Sequence, residues 1–214
     1  MTRPPEMTRP PEMARRPVDH RGFPVPWFVT RKTPEGRWDF VQIEAERFAE
    51  AERRDVCWVS GQPLGRYRSY VIGPMCVINR VSADPAIKRS IAEWSAQICP
   101  FLSRPLARRD QSISPEAWET QRGTAITANP GICAVYTVER AVRSEDGLFH
   151  LPDASSVTWW TCGRPATRTE VIEAIRGGLP VLRREAEREG GAAMSKLDQY
   201  IERARGALPA AAGA

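Results

Sequence analysis

Residues 57–65 read Cys57-Trp-Val-Ser60-Gly61-Gln-Pro-Leu-Gly65, and the fold prediction starts from this segment. The segment has the spacing of a zinc knuckle, namely a cysteine, two intervening residues, a second donor and a glycine. In such a knuckle both donors bind one metal ion. Serine stands at the second position here. Residues 84–94 (DPAIKRSIAEW) lie where such a knuckle usually has its second ligand pair, and they contain no cysteine or histidine. The segment therefore predicts a knuckle-shaped turn that lacks most of its ligands.

Further short segments accompany this turn: residues 21–28 (RGFPVPWF), 72–80 (IGPMCVINR), 99–102 (CPFL), 129–131 (NPG) and 159–171 (WWTCGRPATRTEV). Together with the knuckle, and over residues 20 to 208, they resemble a family of uncharacterised bacterial and phage-associated proteins. That family combines a CxxCG knuckle with GPMCxxNR, HxxCA and CPFL segments. The resemblance implies no known activity, and it suggests a mobile-element setting.

The resemblance implies four ligand positions, of which this chain keeps only the first: Cys57, Ser60, Lys88 and Ile91. Structural zinc requires four donors, and neither an ammonium group nor an isoleucine side chain coordinates it. We therefore expect no zinc and no other cofactor, with Ile91 buried where the metal would otherwise lie. The alternative is a metal site rebuilt from other cysteines and histidines, namely Cys76, Cys99, His20 and His150.

The length and composition predict one domain with a helical appendage. The chain has 214 residues, 42% of them hydrophobic, which is enough to bury a core. No apolar run reaches the roughly 18 residues of a membrane-spanning helix. The N-terminus has no apolar segment of the kind that secretory signals contain. We therefore expect a cytoplasmic protein with no membrane partner.

The N-terminus repeats the unit MTRPPE at residues 1–6 and 7–12, followed by Met13. Because proline disfavours both helix and sheet interiors, residues 1–18 are expected to form an extended, disordered arm. Its arginines would suit an anionic surface, but a slipped duplication or a misassigned start codon is the simpler explanation. Residues 209–214 are expected to be a disordered tail.

Enzyme signatures are scarce in this chain. Neither a Walker loop nor a GxGxxG, HExxH or GxSxG motif occurs, and two histidines provide little general-base capacity. The five cysteines include no CxxC pair, so they are expected to be reduced and individually buried. The sequence leans against an enzyme. The alternative is an enzyme of unknown class with a pocket formed by Arg21, Asn129, Trp160 and Arg164.

The charge pattern favours a nucleic-acid partner. The net charge is +5, and the basic residues are mostly arginines, which bind phosphate through paired donors. A GC-rich genome produces the same arginine bias. The predicted contact residues lie around the knuckle and after the CPFL segment: Arg66, Arg68, Arg80, Lys88, Arg89, Arg104, Arg108 and Arg109.

The periodicities predict an α+β fold with a small mixed or antiparallel sheet. Strands are expected at residues 27–30 and 37–43 around a turn at 33–36, at 67–72, at 75–81, in a hairpin across 144–147, and at 157–160. Trp159 and Trp160 should point to opposite faces of the last strand, so at most one is fully buried. Helices are expected at residues 44–54 and 85–98.

The C-terminal region predicts a helical hairpin. Thr167 and Glu170 have the spacing of a capping box at a helix start. Gly177, Gly178 and Pro180 are expected to interrupt this helix, and a last helix should cover residues 192–207. The predicted organisation is an α+β domain at residues 19–161 with helices at 162–208 packed on it.

These features together predict a non-enzymatic adaptor or inhibitor that acts on nucleic acid or on a nucleic-acid-handling complex. A protein-binding module without nucleic-acid contact is the main alternative. The two differ in their response to salt, because phosphate contacts weaken steeply as salt rises.

Overall fold

The fold is α+β, as predicted, and ends in a helical hairpin. The computed structural model describes residues 9–40, 44–103 and 131–211. Its strands are β1 (Arg68–Ile72), β2 (Val81–Ser82), β3 (Cys133–Val138), β4 (Val142–Arg143), β5 (Phe149–His150), β6 (Ser156–Thr161) and β7 (Arg164–Pro165). Its helices are α1 (Ala45–Arg54), α2 (Pro74–Asn79), α3 (Arg89–Ile98), α4 (Pro100–Ser103), α5 (Arg168–Glu189) and α6 (Gly191–Ala204).

The main sheet is antiparallel, with the strand order β1-β3-β6-β7. Strand β3 lies inside this sheet and all of its residues are buried, which fits its sequence CAVYTV, since β-branched and aromatic side chains pack well on a pleated surface. A smaller antiparallel sheet has the order β2-β5-β4. The hairpin predicted across residues 144–147 is present as β4 paired with β5.

The main sheet is covered on both faces. Alternate residues of β3 point to opposite sides: Cys133 and Val135 join the core under α3, whereas Ala134, Tyr136 and Val138 join the core under α5. The prediction for the two tryptophans of β6 is confirmed, because Trp159 is buried in the second core and Trp160 is half-buried against the first.

Two element predictions near the knuckle are wrong. Residues 74–79 form helix α2 rather than a strand, with Pro74 at its first turn, where a missing N–H costs nothing. Helix α3 begins at Arg89 rather than at residue 85. The preceding residues are extended because they pair elsewhere: the N–H of Trp58 donates to the carbonyl of Ala86, and Ile87 forms an antiparallel bridge with Ser69.

Helix α5 is continuous, which corrects the predicted interruption at Gly177, Gly178 and Pro180. Proline inside the helix removes one backbone hydrogen bond. The packing explains why the helix persists: a Cβ at Gly178 would lie 2.6 Å from the Sδ of Met75, so the glycine lets α2 approach α5 closely. Ile78 of α2 is buried in the same cluster as residues of α5 and α6.

The predicted capping box at the start of α5 is confirmed. The Thr167 hydroxyl accepts from the N–H of Glu170 at 3.3 Å, and the Glu170 carboxylate accepts from the N–H of Thr167 at 2.8 Å. Arg164 also donates to Glu170 at 2.5 Å. The Arg164 guanidinium and the Thr167 donors lower the pKa of Glu170 from 4.5 to about 2.

This shift predicts a pH-dependent helix cap. Because the folded-state pKa is lowered, the cap contributes stability above pH 4.5 and loses it as the pH falls through about 2. We expect Glu170→Gln to lower the melting temperature near neutral pH and to make progressively less difference as the pH falls towards and below about 2. Thermal unfolding of both proteins across this range measures the effect. Glu173→Gln is the control, because it removes an equal charge from the next turn and leaves the cap intact. A difference in melting temperature between Glu170→Gln and the wild type that is equal at both pH values would contradict the contribution of the cap.

Residues 9–18 differ from the predicted disordered arm. Pro11–Met13 form a short 3-10 helix, and Met13 is 0% exposed in the core. The guanidinium of Arg16 donates to the carbonyls of Val25 and Pro26 at 2.9 and 3.0 Å. Apolar burial and these hydrogen bonds override the proline-rich composition, which only describes local preferences. Residues 1–8 lie outside the described part.

At the other end, Arg168 donates to the carbonyl of Pro209 at 2.5 Å, so this first residue of the predicted tail is held against α5. Residues 212–214 lie outside the described residues. Across residues 9–40, 44–103 and 131–211, none of the helices has both the length and the apolar character to cross a membrane.

Candidate functional site

The knuckle segment forms a tight turn between the end of α1 and β1. The N–H of Cys57 donates to the carbonyl of Gln62 at 2.8 Å, and the N–H of Gly61 donates back to the carbonyl of Cys57 at 2.7 Å. Val56 and Pro63 form a bridge at the base of the turn. Gly61 has φ +73°, which is the left-handed conformation that glycine adopts without strain.

The structure brings the predicted ligand positions together around the Cys57 thiol. Its Sγ accepts from the backbone N–H of Ser60 and from that of Lys88, both at 3.4 Å. Cys57 and Ile91 are each 0% exposed and belong to one core, so the expected burial of Ile91 is confirmed. The ammonium of Lys88 lies 3.5 Å from the Glu12 carboxylate. Backbone donors and apolar packing therefore hold this knuckle.

Aromatic rings cover the knuckle turn. The Trp58 ring stacks on Phe28 with centroids 4.9 Å apart, and Phe48 of α1 lies 4.6 Å away. The Trp27 ring meets Trp58 edge-on at 6.2 Å, and the Arg47 guanidinium lies 4.6 Å above Trp27. These rings contact one another, and Trp58 is only 2% exposed. They stabilise the turn and do not present a free stacking surface.

The predicted nucleic-acid contacts that fall in the described residues are all paired with carboxylates. The shortest distances are Arg66–Glu139 2.7 Å, Arg68–Asp55 2.6 Å, Arg80–Asp153 2.7 Å, Lys88–Glu12 3.5 Å and Arg89–Glu93 2.9 Å. Arg104, Arg108 and Arg109 lie outside the described residues. Each of these five basic side chains thus has a carboxylate of the chain within 3.5 Å.

The residues of the predicted enzyme pocket are engaged in separate local contacts. Arg21 pairs with Asp19 at 2.7 Å, and the Trp160 indole donates to the Thr158 hydroxyl at 3.1 Å. Arg164 binds Glu170 of the helix cap. Asn129 lies outside the described residues. These contacts give each side chain a structural role, and none of the three lines the cleft described below.

Asp19 is the most buried of these carboxylates. It accepts from the N–H groups of Arg21 and Phe23, each at 2.9 Å, and from the Arg21 guanidinium. Burial raises its pKa, but the hydrogen bonds from Phe23 and Arg21 outweigh burial and hold the pKa below its usual value. Asp19 therefore fixes the loop before the knuckle's aromatic cover.

The candidate site is a cleft of about 550 Å³ between the C-terminal end of α1 and the segment that leads into β4. Its floor contains Tyr70 and Phe149, whose ring centroids lie 6.0 Å apart. Charged side chains form its walls: Glu52, Asp55, Arg68, Glu139, Arg140 and Arg143. Burial raises the pKa of Tyr70 to about 12, so its hydroxyl stays neutral.

Most charges of the cleft neutralise one another. Arg143 reaches across to Glu52 of α1 at 2.6 Å, and Arg68 donates to both Asp55 oxygens at 2.7 and 2.6 Å. Arg140 forms no ion pair or hydrogen bond with the described part of the chain. It is exposed, and so is Val142, whose side chain is 69% exposed.

The sequence did not predict this cleft. No residue spacing along the chain indicates that the segments lining the cleft lie close together. These segments are α1, the knuckle, β1, the loop before α3, and residues 139–149. The local signal was the density of charge at residues 139–143, where three of the five side chains are charged.

A serine, a histidine and an aspartate meet beside the cleft, on the β4–β5 turn. The Ser144 hydroxyl donates to the Asp146 carboxylate and lies 3.0 Å from Nε2 of His150. A catalytic triad needs the histidine between the serine and the acid, so that it receives the serine proton. Here the serine bonds the acid directly. The cluster stabilises the turn, where the N–H of Leu148 also donates to Asp146.

In residues 9–40, 44–103 and 131–211, His, Cys, Asp and Glu side chains form no group of three or more that is arranged to hold a metal ion. Comparisons of the chain with protein-family models, with curated proteins and with solved structures found no match. The cleft and the knuckle therefore have to be interpreted from their own geometry.

Proposed function

We propose that the protein is a binding module that recognises a protein partner through the cleft between α1 and β4. The observation that carries this proposal is the position of Arg140. It is the arginine of the cleft without an internal carboxylate partner among the described residues, and exposed Val142 lies two positions away in β4. A cation that has no partner among the described residues, beside an apolar side chain, suits a mixed polar and apolar segment of a partner.

The composition of the cleft supports a protein rather than a nucleic acid. A phosphate backbone approaching Arg140 would also meet the carboxylates of Glu52, Asp55 and Glu139, which line the same cleft. The neighbouring Arg68 and Arg143 form ion pairs with Asp55 and Glu52, so each pair as a whole carries little net charge. The nucleic-acid adaptor that the composition favours is thus the weaker proposal, and the experiment below separates the two.

The partner chemistry follows from Arg140 in the wall of the cleft and from exposed Val142, which lies beside the cleft and is not part of its lining. An aspartate or glutamate of the partner would pair with Arg140, and an apolar neighbour would cover Val142. Strand β4 lies at the edge of its sheet, where an extended segment can run alongside it. The expected ligand is therefore an extended protein segment with a carboxylate flanked by apolar residues.

Peptide selection followed by charge reversal tests this proposal. Peptides selected from a random library on the immobilised protein are expected to contain an acidic residue beside apolar ones. Arg140→Glu should weaken their affinity by about tenfold or more, which corresponds to about 1.4 kcal/mol. Arg183→Glu, an identical change at an exposed arginine of α5, is the matched control and should change affinity less than twofold, in line with the small effects of remote surface changes.

Fluorescent single- and double-stranded DNA and RNA serve as competing ligands in the same assay. Nucleic-acid affinity that falls steeply with salt would support the nucleic-acid adaptor and overturn the protein proposal. Equal weakening by both arginine variants would also overturn it, because that result would reflect total charge rather than the cleft.

A further inference from the structure

The N-terminus contains two identical copies of a segment that the fold uses. Residues 1–7 and residues 7–13 both read MTRPPEM, sharing Met7. The structure places the end of the second copy in contact with the core. The first copy therefore has every residue type that this contact uses, and the chain has one more docking segment than it needs.

The second copy docks through two side chains. Met13 is 0% exposed and lies in the core that also contains Trp58 and Trp94. Glu12 lies 3.5 Å from the ammonium of Lys88. The turn that presents them is local, since the N–H of Met13 donates to the carbonyl of Pro10 at 2.8 Å. We call the site that receives Met13 and Glu12 the methionine groove.

We infer that the first copy is an alternative occupant of the methionine groove, with Met7 and Glu6 in place of Met13 and Glu12. The chain would slip by six residues, and residues 8–13 would leave the groove as a loop. Closing this new loop of six residues carries an entropic cost, which favours the second copy in the unaltered protein. The first copy has a proline at position 4, which corresponds to Pro10 of the second copy.

The structure also explains why the second copy is preferred. The N–H of Arg16 donates to the carbonyl of Met13 at 3.0 Å. The residue three positions after Met7 is Pro10, which has no N–H. Arg9 also donates to the carbonyl of Arg16, a contact that the slipped arrangement would lose. The first copy is therefore a reserve that docks when the second is displaced or damaged.

A double-mutant cycle tests this inference in the full-length protein. Met7→Ala alone is expected to leave the melting temperature unchanged. Met13→Ala should lower the melting temperature by at most half of the loss seen in the double variant Met7→Ala/Met13→Ala. The reason is that Met7 can replace the lost Met13 side chain in the single variant but not in the double variant. Equal losses in the Met13→Ala and double variants would overturn the inference, since the two sites would then be independent.

A second measurement covers the case in which the double variant does not fold. In Met13→Ala protein with ¹³C-labelled methionine methyl groups, the Met7 signal, assigned in the otherwise unchanged protein by its loss in Met7→Ala, should move away from the position of a solvent-exposed methionine. A Met7 methyl that keeps the exposed position would contradict docking of the first copy. Neither measurement depends on the proposed function of the cleft.

Discussion

Replacing Gly61 with alanine is expected to lower the free energy of unfolding by about 3–5 kcal/mol, the largest effect of any change we propose. Gly61 has φ +73°, a conformation that costs residues with a Cβ roughly 1–2 kcal/mol. A Cβ there would also lie 2.6 Å from Cγ of Trp27. This ring cannot withdraw easily, because it lies between Trp58 and the Arg47 guanidinium. Overpacking therefore adds to the backbone strain.

Gly36→Ala is the matched control. Gly36 has φ +76°, close to that of Gly61, but apart from Gly36 and its two chain neighbours no atom of the described residues lies within 4 Å of the position that a Cβ would take there. The control variant should lose only the backbone contribution, about 1–2 kcal/mol. Urea unfolding of both variants measures the difference. Equal losses would show that the contact with Trp27 contributes nothing and that the turn conformation alone sets the cost.

Replacing Cys57 with alanine is expected to lower the free energy of unfolding by about 2–4 kcal/mol. The thiol is 0% exposed, and its Sγ accepts the N–H groups of Ser60 and Lys88. Alanine removes the acceptor and leaves a small cavity. Each buried donor left without a partner costs about 1–3 kcal/mol, and sulfur acceptors lie at the weak end of that range.

Two variants make the Cys57 experiment specific. Cys162→Ala removes an exposed thiol and should change stability by less than about 0.5 kcal/mol. Cys57→Ser keeps an acceptor on a shorter side chain and should fall between wild type and Cys57→Ala. Guanidinium unfolding monitored by tryptophan fluorescence measures the loss of the folded state, to which buried Trp58 contributes together with the other six tryptophans. A serine variant no better than alanine would show that volume, and not the N–H···S contacts, determines the cost.

Local sequence patterns correctly predicted the elements that are stabilised by contacts between residues close together in the chain. The apolar spacing of α3 and the capping box of α5 depend on residues within one or two turns, and both were found. A turn at residues 57–65 was inferred from the spacing of Cys57, Ser60 and Gly61, and its interpretation as a degenerate zinc knuckle stays a prediction. The α+β class followed from the sum of these elements.

Predictions failed where distant packing outweighs local preference. Residues 75–81 have an apolar run that suits a strand, but Met75 and Ile78 pack on α5 and α6 as a helix. A glycine at position 178 predicts a helix break from local preference alone, whereas its missing Cβ is what allows Met75 to fit. The burial of Met13 and the cleft have the same origin, because each depends on segments far apart in the chain.

The pairing pattern of β3 also sets the order in which the sheet can assemble. Tyr136 pairs with Val157, 21 positions away, whereas Val71 pairs with Val135, 64 positions away. A threefold longer loop costs about 1 kcal/mol more in closure entropy. We therefore expect the β3–β6 pair to form before β1 joins the sheet. Because Ser69 of β1 bridges to Ile87, the contact between β1 and the segment before α3 is expected to form in that later step.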